Sequence, residues 1–208
     1  MIRKEIIEYI EQNIIPLYAT FDKAHNIDHA ETVIQESATL ATYYKELNPE
    51  MVYIIAAFHD TGLRESRERH HIVSAEILRA DPFITKLFTE QQIQTICEAI
   101  EDHRASSKSE PRSLYGRIVA EADRVISTEI TLRRTVQYGL KQNPEATIEQ
   151  HFERFKEHLE TKYAEGGYLK LYIPHSNNAE RLAQLRKVIA NPKELRERFD
   201  KIFAEEVK

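Results

Sequence analysis

Apolar residues recur at intervals of three and four positions through most of the chain. The N-terminal stretch 2–15 shows the pattern first, with Ile2, Ile6, Ile7, Ile10 and Ile14. Such spacing places apolar side chains on one face of an α-helix. The pattern returns over about 26–47, 49–60, 72–78, 89–103, 114–126, 128–141, 147–163, 179–190 and 192–205. Only 169–173 resembles a strand, so we predict an all-α fold of about nine to eleven helices, with no sheet larger than a hairpin.

Polar residues that favour helix starts mark several of these boundaries. Thr89 with Gln92, and Thr147 with Gln150, have the spacing of capping boxes. Asn48 before Pro49 and Asn191 before Pro192 pair a cap with a first-turn proline. The polar segments 61–69 and 105–113 are predicted to be exposed loops.

His59 and Asp60 end the most apolar of the predicted helices. Residues 51–58 are almost entirely apolar, and Thr61 and Gly62 break the pattern. Burying an unpaired polar group costs several kcal/mol, roughly 2–7 for a neutral group and more for a charge. A divalent metal ion would remove that cost, because His and Asp bind the same borderline or hard cations. The alternative is a hydrogen-bonded His–Asp pair that closes a core helix.

The composition excludes some classes of function. Charged residues make up 30% of the 208 residues, and the net charge is −5. Broad nucleic-acid binding needs a basic face, so we expect no nucleic-acid partner, although a local basic pocket is compatible with this charge. No long apolar segment is present, so neither a signal peptide nor a membrane span is expected. The single cysteine, Cys97, lies on an apolar helical stripe and is predicted to be a core residue in a cytoplasmic protein.

Three further residues with metal-binding side chains lie on or at the end of helical patterns. They are His29, His103 and Asp123, and with His59-Asp60 they give the order His, His-Asp, His, Asp. This order, with its flanking residues, resembles the HD-domain superfamily of metal-dependent phosphohydrolases. The resemblance spans about 25–127. It leaves the N-terminal helix (2–15) and the helices over 147–205 as extensions of a single HD-like domain comprising residues 1–208.

The resemblance implies that a divalent metal ion activates water to cleave a phosphoester. It implies that His29, His59, Asp60 and Asp123 bind this ion, with Asp60 close to the attacking water. Two imidazoles and two carboxylates leave room on an octahedral ion for water and substrate. Such a site suits Mn, Fe, Co, Ni or Zn better than Ca, and Mg is expected to bind weakly. The expected substrate is a nucleotide or another small phosphorylated metabolite, and a homodimer is compatible with the sequence.

Binuclear members of the superfamily carry two more histidines. One precedes a Gly/Ser-Ala-x-Ile-Leu stretch by four residues, as His70 precedes 74–78. The other ends the next long helix, where His103 falls. The resemblance therefore implies a second ion held by His70 and His103 and bridged to the first by Asp60, and we favour two ions over one. The alternative is that His70 belongs to a polar loop-to-helix junction and His103 to an exposed helix end.

Two neighbouring histidines are rivals for these roles. His71 would replace His70 if the spacing were counted one residue differently. His25 lies four residues before His29. It either binds the metal or contacts a residue that does, or it is a surface residue that an Asn26 cap places outside the helix.

Basic and acidic residues near the predicted ligands are candidates for substrate binding and proton transfer. Arginine binds phosphate bidentately, and a solvated charged loop is the alternative. We predict Arg64, Arg67 and Lys108 as substrate contacts, with Arg69 in the same cluster, and Asp60, His103 and Arg104 as catalytic residues. Asp102 and Glu121 are candidates either for the general acid or for orienting a histidine. Tyr168, Tyr172 and His175 would either reach a ligand or pack.

Two other functions fit the same residues. Some HD proteins with six ligands activate O₂ at a di-iron centre, so an oxygenase is one alternative. A non-enzymatic nucleotide-binding or metal-binding module is the other, and a complete ligand set argues against it. The substrate, the physiological metal and the oligomeric state stay open at this stage.

Overall fold

The computed structural model describes residues 1–22, 25–106, 109–124 and 126–207. These residues form eleven α-helices and no strand, so the predicted all-α fold is confirmed. The helices are α1 Lys4–Asn13, α2 Ile27–Ala41, α3 Pro49–Phe58, α4 His70–Ala80, α5 Ile84–Leu87, α6 Glu90–Asp102, α7 Leu114–Asp123, α8 Thr128–Gln142, α9 Ile148–Tyr163, α10 Asn178–Ile189 and α11 Pro192–Glu206. Two short 3₁₀ helices, Ile15–Thr20 and Thr61–Arg64, complete the regular structure. None of the described helices is long and apolar enough to cross a membrane.

The chain divides into two compact units. The first comprises Met1–Arg124 together with the short segment Tyr172–Ser176. The second comprises Val125–Leu171 and Asn177–Lys208. Helix α1, which we predicted as an extension, is part of the first unit. The single HD-like domain over residues 1–208 stays a prediction.

Helix α3 occupies the centre of the first unit. It packs against α2, α6 and α7. Residues 54–58, which together cover every face of the helix, are completely buried. This explains why its sequence is apolar throughout, whereas α1 buries only Ile6 and Ile10 on one face. Each fully buried Ile or Phe side chain contributes about 1.5–3 kcal/mol to the free energy of unfolding. The polar residues that follow α3 are therefore held at the centre of the unit.

The predicted caps are present and set where α3, α6 and α9 begin. Asn48 accepts a hydrogen bond from the backbone N–H of Glu50. Thr89 and Thr147 each form both hydrogen bonds of a capping box. Because caps satisfy backbone N–H groups that have no partner within the helix, they fix helix starts from local sequence alone.

The structure differs from the predicted elements in three places. Helix α2 ends at Ala41 rather than near Leu47. The backbone N–H groups of Thr42, Tyr43 and Tyr44 donate to carbonyl oxygens three residues earlier, which is the pattern of a tighter turn and not of an α-helix. The segment 61–69 is not wholly an exposed loop, since it begins with the 3₁₀ helix whose Thr61 and Gly62 are buried. The four-residue helix α5, Ile84–Leu87, has no counterpart among the predicted helices.

The second unit is built from α8, α9, α10 and α11. Its core contains Phe155 and Phe199, whose rings lie 5.1 Å apart and are fully buried. Leu159 and Leu185 are also completely buried. The apolar positions predicted for the C-terminal third therefore form a core of their own.

Candidate metal centre

Helix ends in the first unit bring six metal-binding side chains together. His29 lies in the first turn of α2, and His70 begins α4. The remaining four stand at helix C-terminal ends: His59 and Asp60 follow α3, His103 follows α6, and Asp123 ends α7. These are the six residues that the sequence analysis proposed as ligands.

His29, His59 and Asp123 form the first group of converging donor atoms. The Nε2 atoms of His29 and His59 lie 3.2 Å apart. Asp123 Oδ1 lies 3.2 Å from Nε2 of His29 and 3.8 Å from Nε2 of His59. His59 is completely buried, whereas 22% of the Asp123 side chain is exposed. The group is therefore buried on the side of α3 and reached by solvent at Asp123.

Asp60, His70 and His103 form the second group. The Nε2 atoms of His70 and His103 lie 3.1 Å apart, and Oδ1 of Asp60 is 3.4 Å from each. The other oxygen of the same carboxylate, Oδ2, faces the first group at 3.3 Å from Nε2 of His59. Asp60 thus lies between the two groups and turns one oxygen to each.

Three of the histidines are oriented by backbone carbonyl groups. The Nδ1 atoms of His59, His70 and His103 lie 2.7, 2.8 and 2.6 Å from the carbonyl oxygens of residues 56, 67 and 100. A carbonyl oxygen only accepts hydrogen bonds, so each Nδ1 carries the proton. In the neutral ring the lone pair is then on Nε2, the atom that points into the centre.

The chemistry of this donor set fits divalent metal ions. In neutral His70 and His103, the two Nε2 lone pairs and the Asp60 carboxylate oxygen converge without any hydrogen between them. Acceptors at 3.1–3.4 Å repel one another unless a cation lies among them. Mixed imidazole and carboxylate ligands suit first-row transition metals, and the carboxylate also suits Mg²⁺.

The pKa values of His59, Asp60 and His70 reflect the same excess of hydrogen-bond acceptors over donors in the centre. Burial is the largest single effect and lowers the pKa of His59, but the charge of Asp60, a hydrogen bond to Asp60 and the charge of Asp123 together raise the pKa to about 9. Burial is again the largest single effect and favours the neutral form of Asp60, yet the charge of His59 and hydrogen bonds from His103 and His59 together hold the pKa of that carboxyl well below its usual range. The pKa of His70 is lowered to about 4, mainly by burial and then by His103, so its ring is neutral near pH 7. Without a metal ion, protons supply the positive charge.

A set of hydrogen bonds that the sequence analysis missed fixes the turn at Asp60. Tyr18 is completely buried and its hydroxyl donates to the carbonyl oxygen of Ala57, at 2.9 Å. The same hydroxyl accepts from the backbone N–H of Asp60, at 3.2 Å. On the other side of the turn, the N–H of Gly62 donates to Oγ of Ser74 at 2.8 Å. Ser74 therefore ties α4, which carries His70, to the turn that carries Asp60.

The two rival histidines lie outside both groups. Asn26 caps α2 as predicted, so His25 precedes the helix, where its Nδ1 lies 2.7 Å from Oδ1 of Asp22. His71 is next to His70, but its Nδ1 is buried without a hydrogen-bond partner among the described residues. Burial and then Arg104 lower the pKa of His71 to about 4. The structure brings His70, and not His71, into the centre.

The predicted basic residues occupy different environments. Arg104 donates hydrogen bonds to the carbonyl oxygen of Glu68 and, at 3.0 Å, to Oγ of Ser106. Arg67 forms an ion pair with Asp22 at 2.8 Å, and Arg64 is 53% exposed. Lys108 lies outside the described residues. Arg104 therefore connects loops around the centre, whereas the side chains of Arg64 and Arg67 are both more than half exposed.

Asp102 and Glu121 orient none of the three histidines with carbonyl partners. Asp102 accepts hydrogen bonds from N and Nε of Arg112, at 2.6 and 2.9 Å, and holds the segment that precedes α7. Glu121 is fully buried and accepts from the backbone N–H of Tyr172 at 2.7 Å and from Oγ of Ser176. The expectation that either one orients a histidine is wrong for these three rings, because backbone carbonyls already do so.

The residues proposed from the C-terminal third separate into two sets. Tyr172 and His175 belong to the first unit, where His175 stacks on Tyr43 with ring centroids 4.3 Å apart. Tyr168 belongs to the second unit and is 43% exposed.

Arg124 is a second residue that the sequence analysis missed. It directly follows Asp123, is only 6% exposed, and its guanidinium lies 4.9 Å from the ring centroid of Tyr172. Its Nη1 donates to the carbonyl oxygen of Ala120, while its Nε is buried without a partner among the described residues. Burial lowers its pKa. The adjacency to Asp123 is visible in the sequence, but the burial of this cation is not.

The comparison with known families agrees with this site. Residues 26–128 match the family model for the HD domain, a segment that contains all six donor residues. Residues 26–128 therefore form a domain of the HD superfamily, whose members are generally metal-dependent phosphohydrolases. No curated protein and no solved structure matches the chain.

Proposed function

We propose that this protein is a metal-dependent phosphohydrolase that cleaves a phosphoester of a nucleotide or another small phosphorylated metabolite. The observation that carries the proposal is the shared carboxylate of Asp60. Its two oxygens face different pairs of histidine nitrogens: Oδ2 lies 3.3 and 3.7 Å from those of His59 and His29, and Oδ1 lies 3.4 Å from each of those of His70 and His103. A two-metal centre of this kind is suited to phosphoryl transfer.

The proposed ligand sets follow the two groups. His29, His59 and Asp123 would hold one divalent ion, His70 and His103 would hold a second, and Asp60 would bind both. Ions bound there supply Lewis-acid stabilisation of the attacking and leaving oxygens of the phosphoryl group and a lowered pKa for water. Mn, Fe, Co, Ni and Zn match these ligands best, with Mg as the weaker binder.

The chain itself contributes the orientation of the ligand side chains. Nδ1–H bonds to carbonyl groups keep the rings of His59, His70 and His103 turned with Nε2 inward. Tyr18 and Ser74 hold the Asp60 turn from two sides. Such pre-organisation lets the carboxylate stay in place as charge develops on the phosphoryl oxygens.

Substrate binding is assigned to the basic residues beside the centre. Arg64, Arg67, Arg104 and Lys108 would pair with the phosphate of a small substrate. The exposure of Arg64 supports this assignment, and so does the position of Arg104 directly after His103. Arg67 would have to exchange its ion pair with Asp22 for the phosphate.

The experiment that tests the proposal is an assay against a panel of phosphoesters. Protein loaded in turn with Mn²⁺, Fe²⁺, Co²⁺, Ni²⁺, Zn²⁺ or Mg²⁺ is offered nucleoside phosphates and other phosphorylated metabolites, and released phosphate is measured. Oxygen consumption of the Fe²⁺ form is followed in parallel. We expect metal-dependent phosphate release without oxygen uptake. Oxygen uptake without phosphate release would indicate an oxygenase. If every metal form is inactive in both assays, the result would indicate a binding module.

The number of ions is tested by removing the second group of histidines. In the double variant His70→Ala, His103→Ala, we expect the metal content at saturation to fall to half, because the first group keeps its own three ligands. Plasma emission spectrometry measures the content, and circular dichroism checks the helices. His25→Ala, His71→Ala is the matched control, since it removes two nearby histidines from outside both groups. Equal metal content in both double variants would indicate a mononuclear centre.

A further inference from the structure

Helix α7 presents Asp123 to the metal centre from its last residue. Helix ends fray more readily than helix interiors, because their final carbonyl groups have no partner within the helix. Oδ1 of Asp123 nonetheless lies 3.2 Å from Nε2 of His29 and 3.8 Å from Nε2 of His59. A carboxylate at a helix end keeps such a position only if contacts outside the helix hold its final turn.

Those contacts come from Tyr172–Ser176, a short segment far along the chain that we call the strap. The strap belongs to the first unit, although the residues on either side of it, Leu171 and Asn177, belong to the second. It contains no helix or strand, and its Ile173 is only 4% exposed and packs in the core of the first unit. Buried backbone N–H groups of the strap therefore need hydrogen-bond acceptors from other elements.

Glu121, in the last turn of α7, supplies these acceptors. Its side chain is fully buried. Its Oε2 accepts from the backbone N–H of Tyr172 at 2.7 Å and more weakly from that of Ile173 at 3.4 Å, and its Oε1 accepts from Oγ of Ser176. A buried carboxylate without such donors would cost several kcal/mol. The strap and the last turn of α7 therefore hold each other in place.

Two ring contacts add to this attachment. The guanidinium of Arg124 lies 4.9 Å from the ring centroid of Tyr172, a cation–π contact. The ring of His175 stacks on that of Tyr43, with centroids 4.3 Å apart and planes within 10° of parallel. Because Glu121 and Arg124 flank Asp123 in the sequence, the strap contacts α7 both before and after the ligand.

We propose that Glu121 is a positioning residue for Asp123, and that the docked strap is what keeps Glu121 in place. Release of the strap would remove the donors of Glu121 and loosen the turn that carries Asp123. An ion in the first group and docking of the strap therefore favour each other, by the same factor in both directions. This inference rests on the proposed ion in the first group, and it is independent of the substrate and of hydrolysis.

Hydrogen–deuterium exchange of the full chain, with and without saturating Mn²⁺, tests the coupling without an activity assay. Mass spectrometry of peptides measures the exchange. We expect the ion to slow exchange of the Tyr172 and Ile173 amides at least about fivefold, the lower end of typical coupling between linked sites. The amides of Phe83 and Ile84 are the matched control, because they donate to another carboxylate of the first unit, Asp81. Their exchange should not change.

Ligand variants locate the ion that acts on the strap. Asp123→Ala should abolish the slowing, whereas His70→Ala, His103→Ala should keep it because the first group stays intact. A wild-type chain that binds no Mn²⁺ by plasma emission spectrometry would overturn both the proposed function and this inference. Bound Mn²⁺ with unchanged exchange of the strap would overturn this inference alone. So would slowing that survives Asp123→Ala or that is equal at the control amides.

Variants of Glu121 provide the second arm, a calorimetric titration with Mn²⁺ in the double histidine variant that keeps only the first group. Glu121→Ala should weaken binding at least about fivefold. Glu121→Gln should restore most of the affinity, because its amide oxygen can accept from Tyr172 N–H and its NH₂ group can donate to Oγ of Ser176. The matched control is Asp81→Ala, which removes a carboxylate that also accepts from two backbone N–H groups and one hydroxyl. It should leave the affinity unchanged.

Ser176→Ala acts on the same attachment from the strap and leaves the sequence of α7 intact. It should weaken Mn²⁺ binding about two- to tenfold, the effect of one hydrogen bond, and it replaces Glu121→Ala if that variant does not fold. Unchanged affinity in the folded variant would overturn the proposal, and so would an equal loss in Asp81→Ala. An equal loss in Glu121→Gln and Glu121→Ala would show that the charge of Glu121 acts rather than its hydrogen bonds, and would overturn the positioning role.

Discussion

Replacing Asp60 with asparagine is expected to abolish tight binding of both metal ions and to lower phosphohydrolase activity at least about a thousandfold, or about 4 kcal/mol in the barrier. The amide keeps the shape of the carboxylate, but its NH₂ group must take the place of one oxygen. That group has no lone pair for a metal and would donate to a histidine Nε2 instead. The remaining oxygen is neutral and binds a divalent ion less tightly.

Metal analysis and the phosphate-release assay measure the effect of Asp60→Asn. Asp28→Asn is the matched control, because it makes the same change of charge one residue from His29, at an exposed position outside both groups. Circular dichroism verifies that both variants keep their helices. Wild-type metal content and activity in folded Asp60→Asn protein would contradict the bridging role of Asp60.

Gly62→Ala is expected to lower the midpoint of thermal unfolding by about 2–12 °C and to reduce the metal content. A Cβ atom at this position would lie 2.2 Å from the carbonyl oxygen of His70 and 2.7 Å from the N atom of Ser74. Both are backbone atoms at the start of α4, so the helix must move away from the turn. Overpacking of this kind costs typically about 1–3 kcal/mol, and about 2–4 °C accompanies each kcal/mol in a chain of this size. The movement displaces His70 from its position opposite His103.

The control for Gly62→Ala is Gly166→Ala, measured by the same thermal unfolding and metal analysis. Gly166 has a φ of +79°, and a Cβ there meets no atom within 4 Å. The Gly166→Ala variant tests backbone strain without a steric clash. We expect it to lower the free energy of unfolding by about 1–2 kcal/mol and to leave the metal content unchanged. A Gly62→Ala protein with wild-type metal content would show that α4 yields without moving His70.

The fold class and most helix starts could be predicted because their causes are local. The spacing of apolar residues sets the buried face of each helix, and caps such as Asn48 and Thr89 act within three residues of themselves. The six donor residues were also visible, because their order and the residues around them resemble those of the HD-domain superfamily. Helix ends such as that of α2 were less predictable, because no comparably strong local signal marks them.

The geometry of the site was decided by contacts between residues far apart in the chain. Tyr18 and Asp60 are 42 positions apart, and Glu121 and Tyr172 are 51 apart. Such pairs leave no periodic trace in the sequence, so neither the Tyr18 support nor the attachment of Tyr172–Ser176 to α7 was foreseen. The choice of His70 over His71 arose in the same way: the packing of α4 onto Gly62 fixes which of two adjacent rings faces His103.

The chain's local pattern thus specifies most of the eleven helices, with polar residues at their ends, because periodicity and capping act over a few residues. Only the packing of α2, α3, α4, α6 and α7 decides that five of those ends, which carry the six donor residues, meet. Packing also turns the two oxygens of Asp60 to different pairs of histidines. The physical reason is that the positions of donor atoms to within a few tenths of an ångström depend on the close-packed core, to which residues from the whole first unit contribute.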